Sequence, residues 1–177
     1  MGNQVEIILE NIMSKAGREI CASIVQSCGA LGEKPTPARQ AKYVSAVMRE
    51  LPKSCDNTMI CEIMQSCGYS CLSNGTILKA KKAYAESSDI KEFLDKLNEQ
   101  HIGGGSLHIS NGKIIGIYTK CYCGLAKASK NLSPDYCNCS VGWFKKLFSS
   151  VFEKEIIVKK VNTILDGANQ CTFEITY

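Results

Sequence analysis

Apolar positions in the first hundred residues recur at helical spacing. The pattern is clearest from Asp89 to Leu97, where Ile90, Phe93, Leu94 and Leu97 fall at i, i+3, i+4 and i+7, and Asp89 with Glu92 imitates a capping box. Thr36-Pro37 opens another helix, with Val44, Val47, Met48 and Leu51 on one stripe before Pro52 stops it. A third runs from Asp56 to Cys67 and is closed by Gly68. Residues 3 to about 101 therefore read as helical. A six-residue echo, Ile24-Val25-Gln26-Ser27-Cys28-Gly29 and Ile63-Met64-Gln65-Ser66-Cys67-Gly68, predicts two helices that end alike, each with Cys in the last turn and Gly at the cap.

After His101 the period shortens. Gly103-Gly104-Gly105 reads as a hinge, and residues 106–110 meet 113–118 across Asn111-Gly112, a strong two-residue hairpin signal. Residues 124 to 136 read as a polar loop ending in Ser133-Pro134-Asp135. A helix from about 140 to 152 places Val141, Phe144, Leu147, Phe148 and Val151 on one face. Strands at 155–162 and 169–177 follow, joined through Asp166-Gly167, the second turning Cys171, Phe173 and Ile175 inward. The expected fold is α+β: a helical N-terminal region, 1–102, packed on an antiparallel β-β-α-β-β region, 103–177, as one compact domain.

The 177 residues suffice for a core without a disulfide frame. No run approaches 18 apolar residues and the first residues lack a secretory pattern, so neither a membrane span nor export is expected and the chain reads as cytoplasmic. The +4 net charge is spread without a basic block, which argues against a nucleic-acid partner. The exception in the composition is 11 cysteines. In a reducing compartment these are metal ligands, reactive thiols or small core residues.

Cys121-Tyr122-Cys123 and Cys137-Asn138-Cys139 repeat one spacing. In extended backbone, residues i and i+2 share a face, so either pair can offer two thiolates to one ion; small buried hydrophobes are the alternative. Cys67 and Cys71, beside Tyr69 at a helix end, are the cysteines of the helical half that core packing explains least, whereas Cys21, Cys28, Cys55 and Cys61 read as core thiols. Trp143 and Tyr136 border the cysteine cluster, to roof a pocket or simply to pack. His108 is expected to face solvent, and His101 to meet a helix C-terminus.

Cys137 to Ile175, reading Cys-Asn-Cys-Ser-Val-Gly-Trp, a helix, a strand, Ile164-Leu165-Asp166-Gly167 and Cys171-Thr-Phe-Glu-Ile, resembles the C-terminal part of 4-vinyl-reductase-like domains. Their fold group includes TRAPP transport-complex subunits and nitric-oxide-sensing haem domains, and it encloses small ligands or acyl chains. The resemblance implies a zinc site with Cys137 and Cys171 as first and last ligands. Lys160 and Thr163 stand where the family has an acidic residue and a Cys and cannot replace them, so either the metal is absent or Cys121 and Cys123 complete the set, with Cys139 in reserve; the second is the expectation. The helical half more loosely resembles relatives of the L-2-amino-thiazoline-4-carboxylic acid hydrolases. The expectation is a small-molecule-binding protein with a structural zinc, its ligand a small apolar or aromatic molecule near Cys67, Tyr69, Cys71 and Trp143. The alternative is a hydrolase of a small sulfur heterocycle. The fold group also implies a homodimer.

Overall fold

The computed structural model describes residues 4–129 and 131–177. Six helices come first: α1 (Gln4–Ala16), α2 (Arg18–Cys28), α3 (Pro37–Glu50), α4 (Asn57–Cys71), α5 (Asn74–Ala85) and α6 (Ile90–Glu99). Side chains start four of them. Thr36, Asp56, Ser73 and Asp89 each accept a hydrogen bond from the backbone N–H three residues on, satisfying a donor that the first helical turn leaves free. The Glu92 carboxylate reaches back to the Ser88 N–H, one residue before the position a capping box uses.

Strands β1 (Leu107–Ser110) and β2 (Lys113–Tyr118) form the expected hairpin, with Asn111 and Gly112 both at positive φ. A short helix, α7 (Gly124–Ala128), precedes α8 (Asn138–Phe152), and β3 (Ile157–Asn162) and β4 (Cys171–Thr176) close the chain. The sheet is antiparallel in the order β1-β2-β4-β3, so the fold is α+β. Among the described residues no helix is long and apolar enough to cross a membrane.

Two hydrophobic cores result. In the first, α5, α6 and α8 cover the inner sheet face through Phe93, Phe144, Phe148 and Phe173, all fully buried. The second joins α1 to α4 and also takes Leu125, Ala126, Leu132 and Tyr136. The stretch read as a polar loop is thus anchored by a turn of helix and four buried side chains. Its apolar residues are too few and too irregularly spaced to show a period.

Gly68 corrects the reading of the echo. Gly29 does end α2, at φ 75°, but α4 runs through Gly68 to Cys71. A β-carbon on Gly68 would collide with the Cys139 carbonyl oxygen, and one on Gly142 with the carbonyl of Gln65. Here glycine serves the close crossing of α4 and α8 rather than a cap. The triple glycine is likewise a packed turn rather than a free hinge. Gly103, Gly104 and Gly105 all have positive φ, and the Asn98 side chain holds both the N–H and the carbonyl of Leu107, at 2.7 and 2.8 Å.

Candidate functional site

The two cores meet around a cavity of about 330 Å³. Met64, Cys67 and Cys71 line it from α4, Cys139 and Trp143 from α8, Tyr118 from β2 and Cys171 from β4. Cys121, Cys123, Tyr136 and Cys137 enter from the connecting segment, and His101 with Gly104 from the glycine turn. Local structure sets these positions. Met64, Cys67 and Cys71 stand at i, i+3 and i+7 of one helix and so share a face. Tyr118 and Cys171 are cross-strand partners. The Tyr122 hydroxyl donates to the Gly104 carbonyl at 3.0 Å and joins the two loops at the rim.

Seven of the eleven cysteines therefore surround one space. All four expected zinc ligands, Cys121, Cys123, Cys137 and Cys171, line it, as does the reserve Cys139. Thiol is the right donor type for zinc. The arrangement does not gather the thiols onto a point, and among the described residues no three His, Cys, Asp or Glu side chains form a group that could hold a metal ion. Of the residues expected at a ligand, Cys67, Cys71 and Trp143 line the cavity. Tyr69 does not. Because the helix continues through Gly68, Tyr69 turns away from the Cys67–Cys71 face and is 41% exposed, beside a surface hollow with Asn11, Lys15 and Glu62.

Burial dominates the electrostatics. It pushes the Cys67 thiol up to about 12, with a smaller contribution from Cys71. Burial also takes Cys137 to about 12, with the Thr163 hydroxyl pulling part of the way back. Cys139 lies in the first turn of α8, where a helix N-terminus favours thiolate, yet lost hydration and then the nearby Cys123 and Cys137 hold it well above the ordinary range. Neutral thiols pack as small hydrophobes, so the wall is apolar as well as sulfur-rich.

Two phenols add polarity. The Tyr136 hydroxyl and the Cys123 sulfur are hydrogen-bonded at 3.3 Å. Tyr118 lines the cavity near Cys139 and Cys171, and its hydroxyl has no hydrogen-bond partner among the described residues. Sequence reasoning passed over Tyr118, although Ile114, Gly116 and Tyr118 alternate along β2 on the face that carries the core. His101 follows α6 in the left-handed region and, beyond the helix-end place its position predicts, lines the rim. His108 is exposed, as expected. Among the described residues no cysteine is hydrogen-bonded to either histidine, so nothing here supports a hydrolytic Cys-His pair.

No curated protein matches the chain. The solved structures similar to it include the following two. One is the phenol-responsive sensory domain of the transcription activator PoxR with phenol, 14% identical over 79% of this chain and 73% of that one, at a TM-score of 0.46. The other is an H-NOX protein from S. oneidensis in the Fe(II)NO ligation state, 14% identical over 99% of this chain and 98% of that one, at 0.48. Likeness at this level assigns no function, and the resemblance to 4-vinyl-reductase-like domains gains no support from a family match. The model of a family of unknown function, DUF6144, matches residues 2–177, and the chain belongs to that family.

Proposed function

We propose that this protein binds a small apolar or aromatic molecule in the cavity between its two cores. The observation that carries the reading is the cavity itself: about 330 Å³, walled mostly by apolar side chains and buried thiols, with the phenols of Tyr118 and Tyr136 in its lining. Small-molecule sites have this construction, roughly 300–1,000 Å³ of mostly apolar wall with a few polar groups that fix orientation. Trp143 packs edge-on against Phe144, with ring centroids 5.3 Å apart, and offers a flat surface anchored in the core.

A thermal-shift screen of aromatic acids, sulfur heterocycles and fatty acids tests this reading. A hit should raise the melting temperature of the wild type and lose that effect in Trp143→Ala. A shift that survives Trp143→Ala combined with Cys67→Ser would place the ligand elsewhere and overturn the assignment.

A structural zinc on Cys121, Cys123, Cys137 and Cys171 is a second reading. Its support is that Cys121, Cys123, Cys137 and Cys171 all line this cavity, and that the Ile164 N–H points at the Cys171 sulfur from 3.3 Å, the kind of donor that steadies a thiolate ligand. Elemental analysis of protein purified without added metal should then find about one zinc per chain. A value below half of that removes the reading.

A further inference from the structure

The cavity is walled without ion-pairing side chains. Among the described residues that line it there is no Lys, Arg, Asp or Glu. The flanking elements do carry lysines, but these are engaged elsewhere: Lys145 donates to the Gln65 side chain at 3.1 Å, Lys146 to the Tyr69 carbonyl at 2.8 Å and Lys160 to the Pro134 carbonyl at 3.2 Å. Asp166 accepts from the Thr163 hydroxyl at 2.6 Å. The basic side chain among the described lining residues is that of His101, at the rim. A carboxylate or an ammonium ion inside would lose its hydration and meet no opposite charge.

The tyrosine hydroxyls on this wall are not equivalent. Tyr122 donates to the Gly104 carbonyl at 3.0 Å, and the Tyr136 hydroxyl is hydrogen-bonded with the Cys123 sulfur at 3.3 Å. The Tyr118 hydroxyl has no partner among the described residues. Its ring is not free to swing toward one. It stacks on Phe144 with centroids 5.6 Å apart, tilts against Phe173 at 5.4 Å and meets Tyr122 edge-on at 5.4 Å. The glycine turn closes the remaining side, since a β-carbon on Gly104 would collide with the Tyr118 Cδ1. A phenol O–H held in one place is a preorganised donor, and an oxygen acceptor on the occupant satisfies it.

An apolar cavity of about 150 Å³ takes one benzene. At about 330 Å³ this one has room for roughly two rings. We propose that the cavity takes an uncharged molecule of roughly two-ring size whose carbonyl oxygen accepts a hydrogen bond from the Tyr118 hydroxyl. The proposal rests on reading the cavity as the ligand site and narrows the class of its occupant. Aromatic and fatty acids, as anions, fall outside that class.

The test is equilibrium dialysis of the whole chain against naphthyl methyl ketone, ethylnaphthalene and naphthoate, which share a shape and differ in charge and acceptor. Quenching of the emission of Trp143, the chain's single tryptophan and part of the wall, reports that a bound compound sits there. The ketone should bind best, with naphthoate at least about tenfold weaker. Tyr118→Phe should weaken the ketone about three- to tenfold and leave ethylnaphthalene unchanged, which also shows that the variant is folded. Naphthoate binding as tightly as the ketone, a ketone affinity that Tyr118→Phe leaves unchanged, or an equal loss for ketone and hydrocarbon overturns the proposal. Any of those results alongside a thermal-shift hit that Trp143→Ala abolishes would leave the cavity reading standing and this class of occupant refuted. Absence of binding by these compounds and by the wider panel would remove the site.

Discussion

Gly68 lets the backbone of α8 lie against α4 at Cys139: a β-carbon at position 68 would strike the Cys139 carbonyl oxygen and stand 2.7 Å from the Trp143 nitrogen. Gly68→Ala should therefore push the two helices apart at the cavity wall. Overpacking of this kind costs about 1–3 kcal/mol, measurable by urea denaturation. Faster alkylation of Cys67 should accompany it. Gly29→Ala, where an added β-carbon meets nothing and only the positive φ is strained, should destabilise without exposing Cys67. Equal alkylation in both variants would contradict this account.

Phe148 is fully buried between α6 and the sheet side of α8, stacked with Phe144 at 6.1 Å and Phe152 at 5.7 Å. Phe148→Ala should cost about 3–5 kcal/mol. A loss below about 1 kcal/mol would mean that the helix does not use this face as its core.

Asn98 holds both backbone groups of Leu107 at the exit of the glycine turn. Asn98→Ala leaves that N–H and carbonyl without their partner, at a cost of about 1–3 kcal/mol if water cannot replace it. Because the turn carries Gly103 and Gly104 onto the cavity, amide exchange in residues 101–107 should quicken more than in α3. Uniform acceleration across the chain would point to global loosening instead.

The buried thiols predict alkaline sensitivity. Burial pushes the Cys67 and Cys137 thiols up to about 12 in the folded chain, against about 8.5 once unfolded. Their stabilising contribution is complete below about pH 8.5 and is lost as pH rises toward about 12, at no more than about 1.4 kcal/mol per pH unit for each thiol. Urea midpoints should fall between about pH 7.5 and about pH 10, and fall less in Cys67→Ala combined with Cys137→Ala. The same slope in both proteins would show that other groups carry the effect.

Periodicity exposed the elements that bury one continuous face. The stripe Ile90, Phe93, Leu94, Leu97 and the alternation Cys171, Phe173, Ile175 each lie where the pattern puts them, because local spacing alone decides which side chains share a side. Gly68 shows what spacing cannot convey: the same Gln-Ser-Cys-Gly string ends one helix and sits inside another, and the difference lies in a helix more than seventy residues away. The cavity is harder still. Cys121 and Cys137 belong to visible motifs, but their sharing one wall with Cys71 and Cys171 depends on how the sheet and α4 pack, which no short window contains. Tyr69 falls outside the expected site for the same reason, since its direction depends on α4 continuing past Cys67 to Cys71.

The cavity lies on the seam between the two cores: Cys67, Ala126 and Tyr136 belong to one side, Tyr118, Trp143 and Cys171 to the other. An occupant touching both sides adds RT ln(1 + [L]/Kd) to the work of parting them, where L is the free ligand. Protease attack in a cell falls on opened chains, so on the proposed reading filled molecules outlast unfilled ones. The steady amount of this protein would then follow the supply of its ligand, with no change in its synthesis.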